Sequence, residues 1–258
     1  MRGMLHSYSS LECFNQCPLK FNNMYLKRTK KGSYVEGAPA FLGRRVHESM
    51  EKLYKDIRDM KKDSLEEIIG YYSDVWDNKW DDRIILPKKE LTAKDYKEKG
   101  VKFITDYYNR FEPFDQDKTL GVEKRISFKL GKKKHKLVGM IDRLAIKDGY
   151  YEVHDYKTNA FMPKEEELKK NWQLALYSMG IMQMYPDVMK TKQIWHYMAF
   201  DEDVVMEKSK KELKQLEKDT VNLINKIENY KKTNNFSATP NRLCDWCGYK
   251  KTCPEYKN

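Results

Sequence analysis

The sequence has no run of apolar residues long enough to cross a bilayer, which takes about 20, and MRGMLHSYSS at its start lacks the apolar core of a secretory signal. It also lacks an internal repeat, a low-complexity linker and a Walker-A phosphate loop. A solenoid, a tethered array and a nucleotide-driven motor are thereby excluded. These absences predict a cytoplasmic protein without membrane attachment, in which cysteines stay reduced and serve metals or chemistry more often than disulfides. Acidic residues are in deficit: 39 Asp and Glu against 50 Lys and Arg leave a formal charge of +11 and a pI near 9.1. A surplus of that size favours a polyanionic partner, usually nucleic acid and sometimes an anionic membrane. A merely soluble, lysine-rich surface is the bland alternative.

What is present describes a folded chain. Of 258 residues, 40% are apolar and 13% aromatic, enough to bury a sizeable core. A single domain over 1–258 is expected, with a mostly helical part (1–111), an α/β core (120–205) and a cysteine-rich tail (240–258). Ser9 and Glu12 predict a capping box for a first helix. Pro18 cannot sit mid-helix, so that helix ends near Gln16 and a second opens at Pro18, leaving Cys17 at the junction. Leu11, Phe14, Phe21 and Tyr25 recur at helical spacing. After a loop at KKGSYVEGA (30–38), Pro39 opens a helix with Leu42, Val46, Leu53 and Ile57 on its buried stripe. Further helices are expected over Ser64–Trp80 and Thr92–Phe111. VEKRISFKL then alternates, with Val122, Ile126, Phe128 and Leu130 opposed to Glu123, Arg125, Ser127 and Lys129, as a strand does. KEEELKKNWQLALYSMGIMQMY reads as helix, KQIWHYMAF as strand and KKELKQLEKDTVNLINKIENY as a long amphipathic helix. The order is that of a mixed α/β fold with helical decoration.

The chemistry concentrates in GMIDRLAIKDGYYEVHDYKT (139–158). Asp148-Gly149 between two strand-like runs is a hairpin signal. With that turn Lys147 pairs with Tyr150, and counting outward sets Asp142 opposite Asp155. Opposed side chains stand about 5 Å apart, and like charges there are destabilising. Lys157 shares their face. A divalent cation between the acids reverses the penalty, and Mg²⁺ in particular takes one or two protein carboxylates together with substrate phosphates. A metal so held activates water against a phosphodiester, and a neighbouring lysine orients that water or stabilises developing charge. The alternative is a surface hairpin whose acids pair with Arg143 and Lys157. Three further residues belong to the question. His47 lies at the edge of an apolar helical stripe, the usual place of a satisfied boundary histidine. Gln173 and Tyr177 share a helix face. If the lysine-rich turn centres on Lys132-Lys133, Glu123 also lies opposite Asp142. In the tail, Cys244, Cys247 and Cys253 form a C-x₂-C-x₅-C array that needs a fourth ligand, and Cys13 and Cys17 are the other cysteines. By spacing alone zinc is the commoner occupant.

SYSSLECFNQCPLKFNNMY, GRRVHESMEKLY, GMIDRLAI, HDYKT and WQLALYSMG, in this order, resemble the RecB-type nucleases of the PD-(D/E)XK superfamily along nearly the whole chain. The resemblance implies a restriction-endonuclease-like α/β core, a mixed sheet with an antiparallel hairpin and flanking helices, behind a helical N-terminal region. It implies Mg²⁺ or Mn²⁺ bound by His47, Asp142 and Asp155, with Lys157 assisting water and Gln173 and Tyr177 supporting the site and contacting substrate. Ile141 replaces the proline of the superfamily name and Asp155 stands where glutamate is common; neither change removes a ligand. A subset of these nucleases, the AddB-type helicase-nucleases and the CRISPR-associated four-cysteine nucleases, holds a 4Fe–4S cluster with one early cysteine, in a CP-x-K-F pattern, and three late ones. By that resemblance the ligands are Cys17, Cys244, Cys247 and Cys253, Cys13 is a spare, and the C-terminal tail is an iron–sulfur tail. The implied activity is a metal-dependent exonuclease on single-stranded DNA or DNA ends, resembling the free-standing CRISPR-associated exonucleases and their phage relatives. Expected partners are DNA and proteins of CRISPR adaptation or recombination. The alternatives are a DNA-end-binding adaptor that does not cut, and a role in phage recombination or replication instead of CRISPR adaptation.

Overall fold

A computed structural model describes residues 4–28, 36–88, 90–188 and 190–256, so the loop expected over 30–38 lies outside the described residues as far as residue 35. Along the chain run β1 (His6–Ser7), α1 (Tyr8–Gln16), α2 (Pro18–Phe21), a π-helical turn (Asn22–Leu26), α3 (Ala38–Arg58), α4 (Leu65–Lys79) and α5 (Ala93–Phe111). There follow β2 (Lys118–Leu130), β3 (His135–Lys147), β4 (Tyr150–Lys157), α6 (Glu165–Lys170), α7 (Gln173–Met184), β5 (Thr191–Tyr197), β6 (Glu202–Glu207) and α8 (Lys210–Thr233), with two short 3₁₀ turns in the cysteine-rich tail. Among the described residues no helix is long and apolar enough to cross a membrane.

Contacts group the described residues into two units: those of 1–34, 127–139 and 210–258, and those of 35–126 and 140–209. In the first, β1 pairs in parallel with the start of β3, His6 with Leu137 and Ser7 with Val138. That pairing fixes where α1 begins. The capping box is therefore Ser7 with Ser10, not Ser9 with Glu12: Ser7 Oγ accepts the Ser10 N–H at 3.2 Å and Ser10 Oγ the Ser7 N–H at 2.9 Å. The α1–α2 break falls at Cys17 with Pro18 in the first turn of α2, as the proline requires. Phe14, Phe21, Tyr25, Tyr230 and Phe236 pack ring to ring as this unit's aromatic centre.

The second unit sets three helices beside a sheet. Ser64 and Thr92 cap α4 and α5 through reciprocal bonds with Glu67 and Asp95, which places both starts where the sequence predicts them. The core joins Phe41, Leu42, Val46, Met50 and Leu53 of α3 to Ile68, Tyr72 and Trp76 of α4 and to Phe103, Ile104 and Tyr107 of α5. β3 and β4 form the expected hairpin, registered from Lys147↔Tyr150 to Arg143↔His154. Asp148 (φ 50°) and Gly149 (φ 80°) are both left-handed, the backbone of a type I′ turn. β5 runs parallel to β4, a pairing that needs a crossover, here α6 and α7. The segment expected as continuous helix is two helices, because Asn171 Oδ1 takes the Gln173 N–H at 3.0 Å and restarts the helix there. An unexpected strand, β6, lies antiparallel to β5 from Tyr197↔Glu202 to Lys192↔Glu207. Its exposed positions and short length leave too little alternation to announce it.

β2 holds the decisive irregularity. Its buried positions are Thr119 and Gly121 at first and Ile126, Phe128 and Leu130 later, so the inward parity changes from odd to even. Between them Glu123 adopts φ 46°. This is the signature of a β-bulge, which re-aims a side chain at a local cost in strain.

Candidate active site

Each strand delivers one acid. The β3–β4 register ends at Arg143↔His154, one step short of Asp142 and Asp155. At that step the Asp142 carboxylate itself takes the hydrogen bond: Oδ2 accepts the Tyr156 N–H at 3.1 Å. The two acids are close enough that Asp155 is the second cause, after burial, of an Asp142 carboxyl pushed up to about 7. On the bulge of β2, Glu123 brings a carboxylate oxygen within 4.8 Å of ligand atoms of Asp142 and His47. Burial, with Glu51 as the next cause, raises its carboxyl as well.

His47 reaches this group from α3, which approaches β4 closely because Gly43, one turn earlier, has no side chain. A Cβ there would lie 2.9 Å from Thr158 Oγ1. His47 Nε2 lies 2.7 Å from the Tyr156 carbonyl, which can only accept, so Nε2 carries the proton. Nδ1 then turns its lone pair toward Asp142 Oδ2 at 3.3 Å. A proton on either group makes this contact a hydrogen bond, and when both are deprotonated the two lone pairs can share a cation instead. Cis ligands of an octahedral ion with bonds of about 2.1 Å are about 3.0 Å apart. The donor set and its spacing therefore fit a hard divalent cation, with the second histidine nitrogen fixed by a backbone carbonyl, as is usual for a metal-binding imidazole.

Asp155, 4% exposed, is held from two sides. Gln173 Nε2 donates to Oδ1 at 3.3 Å, and Lys157 Nζ stands 2.6 Å from Oδ2, an ion pair lying off the hydrogen-bonding direction. Gln173 is placed by the restart of α7. One turn on, Tyr177 is buried, and burial raises its hydroxyl pKa. The structure thus groups ligand atoms of His47, Asp142 and Glu123 within 4.8 Å of one another; Asp155, expected as a ligand, lies outside that group and is engaged instead by Lys157 and Gln173, with Tyr177 one turn beyond Gln173.

Cys17, Cys244, Cys247 and Cys253, all in the first unit, line one cavity of about 120 Å³. Backbone N–H groups already point at two of the sulfurs, Lys20 at Cys17 (3.5 Å) and Asn241 at Cys244 (3.2 Å). Cys13 does not line this cavity. It faces a second one with Tyr8, Glu12 and Tyr25.

The family profile described as the PD-(D/E)XK nuclease superfamily matches residues 6–254. The chain belongs to the PD-(D/E)XK nuclease superfamily. Among solved structures it is similar to one described as a "Putative exonuclease" from Eubacterium rectale, 11% identical, with a TM-score of 0.55 over 93% of this chain and 86% of that one. At that identity the likeness concerns the fold. The structure of SSO0001, 13% identical over 64% of this chain and 79% of its own, has a TM-score of 0.37, too low to add to it. No curated protein matches.

In this PD-(D/E)XK nuclease the back of the sheet holds what sequence reasoning did not find. Arg143, 1% exposed, donates to Asp117 Oδ1 at 2.6 Å and to His154 Nδ1 at 3.0 Å, and its guanidinium lies 4.1 Å from the Tyr54 ring centre. Because arginine only donates, His154 Nδ1 accepts and Nε2 carries the proton, 3.5 Å from Glu152 Oε2. Asp117, Glu152 and His154 lie within 4.8 Å of one another, yet Arg143 already supplies their cation and the protonated Nε2 offers no lone pair. Beside them Tyr156 stacks on His196, whose Nδ1 lies 2.7 Å from Asp203 Oδ1 and whose Nε2 lies 2.9 Å from His154 Nδ1. Tyr156 therefore grips Asp142 and His47 with its main chain while its ring is fixed in the core. No sequence pattern marks that role, because any residue supplies the same backbone groups.

Proposed function

We propose that this nuclease is a metal-dependent deoxyribonuclease acting as an exonuclease on single-stranded DNA or DNA ends, with His47, Asp142, Asp155 and Glu123 around the ion and Lys157, Gln173 and Tyr177 in support. The observation that carries this is the lone pair of His47 Nδ1 aimed at the Asp142 carboxylate with a third acid beside them. A Mg²⁺ or Mn²⁺ ion held there supplies Lewis acidity toward a phosphodiester and toward water. Lys157, its ammonium against Asp155, is positioned to donate to an attacking water or to the developing negative charge. Gln173 keeps Asp155 oriented, and Tyr156 keeps Asp142 and His47 at fixed separation. The charge of +11 supports binding to the polyanion. The exonuclease description of the Eubacterium rectale protein agrees with action at ends.

The four-cysteine cavity supports a 4Fe–4S cluster as the second cofactor.

The test is cleavage of labelled single-stranded and duplex DNA with Mg²⁺, Mn²⁺, Ca²⁺ or EDTA. Cutting is expected with the first two, with Mn²⁺ favoured by the histidine ligand, and full activity in EDTA refutes the proposal. Asp142→Ala, Asp155→Ala and Lys157→Ala each abolish cutting while DNA binding stays near wild type. Binding of ends without cutting under every metal establishes an adaptor instead. Protein purified without oxygen is brown, absorbs near about 400 nm and holds about four irons. Replacing Cys17 with Ala bleaches it, and replacing Cys13 does not. One zinc and no iron refutes the cluster and leaves the nuclease proposal intact.

A further inference from the structure

The segment between β4 and α6 presents an aromatic side chain that the site does not use. Phe161 is 67% exposed, more than Phe200 (40%) in the same unit, whereas Phe41, Phe103 and Phe114 are buried in its core. It lies four residues after Lys157, and an extended chain of that length spans at most about 14 Å. Its backbone carbonyl is held by the Asn159 side-chain amide, which gives the segment a defined turn. A second exposed apolar side chain, Met140 (44%), stands on β3 two residues before Asp142 and so on the same face as that acid. Exposed apolar side chains thus occur on β3 beside Asp142 and on the segment that follows β4.

We propose that Phe161 is a stacking platform for a nucleobase of the strand being cut, and that it selects an unpaired strand. This rests on the nuclease reading for its effect on cleavage, but not for its effect on binding. Inside a duplex both faces of each base are already covered by neighbours, so a phenyl ring gains a base face only where the base has left its stack. Every base has such a face, so the contact is tolerant of sequence and selective for single strand.

The experiment compares wild type, Phe161→Ala and Phe161→Trp. Binding of fluorescein-labelled oligo-dT is read by anisotropy in EDTA, and kcat/KM with Mn²⁺ is read on oligo-dT and on a blunt duplex. Phe161→Ala is expected to weaken oligo-dT binding and kcat/KM by about tenfold, to leave the blunt duplex within about threefold, and to leave the melting temperature unchanged because the ring is exposed. Phe161→Trp retains wild-type preference. Equal loss on both substrates, or no loss on either, overturns the proposal. A change in sedimentation of Phe161→Ala also overturns it, because the ring would then serve contact between copies of the chain. If no metal supports cutting but the EDTA binding loss is found, the platform stands and the nuclease reading falls; if the wild type cuts and Phe161→Ala matches it throughout, the reverse holds.

Discussion

Replacing Asp142 with Asn should stabilise the metal-free protein while destroying its activity. In the folded chain burial and Asp155 push this carboxyl up to about 7, from 3.8 for an unperturbed aspartate. Between those values the folded state holds a proton that the unfolded state has released, so stability falls as pH rises. The penalty is absent below pH 3.8, grows through the interval and is complete above pH 7. A shift of about three pH units corresponds to a cost on the order of 4 kcal/mol at pH 8 and less than half of that at pH 5. Asparagine removes the charge yet keeps an oxygen for the Tyr156 N–H. For a domain of this class 1 kcal/mol moves the melting temperature by about 2–4 °C, so the gain should be on the order of 10 °C at pH 8. Thermal melts in EDTA at pH 5 and 8 measure it. Mn²⁺ should raise the wild type toward the variant and leave the variant unmoved. A gain independent of pH, or none at pH 8, would refute the account of Asp142 as a charge held against its own solvation.

Removing the histidine ligand by His47→Ala should weaken Mn²⁺ binding by about tenfold or more and Mg²⁺ binding less, since imidazole suits the softer ion; equal losses by calorimetric titration would contradict the ligand role. Gly43→Ala puts a methyl against Thr158 Oγ1, so it should lower metal affinity, and Thr158→Ala in the same chain should restore it. Failure of that rescue would mean α3 is positioned by something else. Arg143→Met leaves Asp117 without its buried cation and should cost about 3–5 kcal/mol in chemical denaturation. A neutral result would show that the network behind the sheet does not support it.

Three helix starts were legible: Ser64, Thr92 and Pro18 announce their helices because capping and proline geometry are local. Asp148-Gly149 fixed the hairpin, and with it the juxtaposition of Asp142 and Asp155, by counting alone. Two other starts were not legible. Ser7 took the cap from Ser9 because β1 pairs with β3, and α7 restarts at Gln173 through a single Asn171 hydrogen bond. Glu123 could be matched to Asp142 only by assuming a turn, since nothing in VEKRISF betrays a left-handed residue within a strand. Arg143 and Tyr156 stayed hidden for a different reason: one reads as a surface charge and the other acts through its main chain.

The first unit is assembled from three stretches of sequence, with the second unit inserted between them. Translation therefore finishes the two in a fixed order. By the time residue 209 has left the ribosome, every part of the second unit has been made, including all the residues around Asp142. Residues 4–28 must still wait for α8 and the cysteine tail, which takes about 2–10 s at about 5–20 residues per second. During that interval the aromatic faces of Phe14 and Phe21 lack Tyr230 and Phe236. Those faces stay open to other chains until α8 and the segment after it have been made.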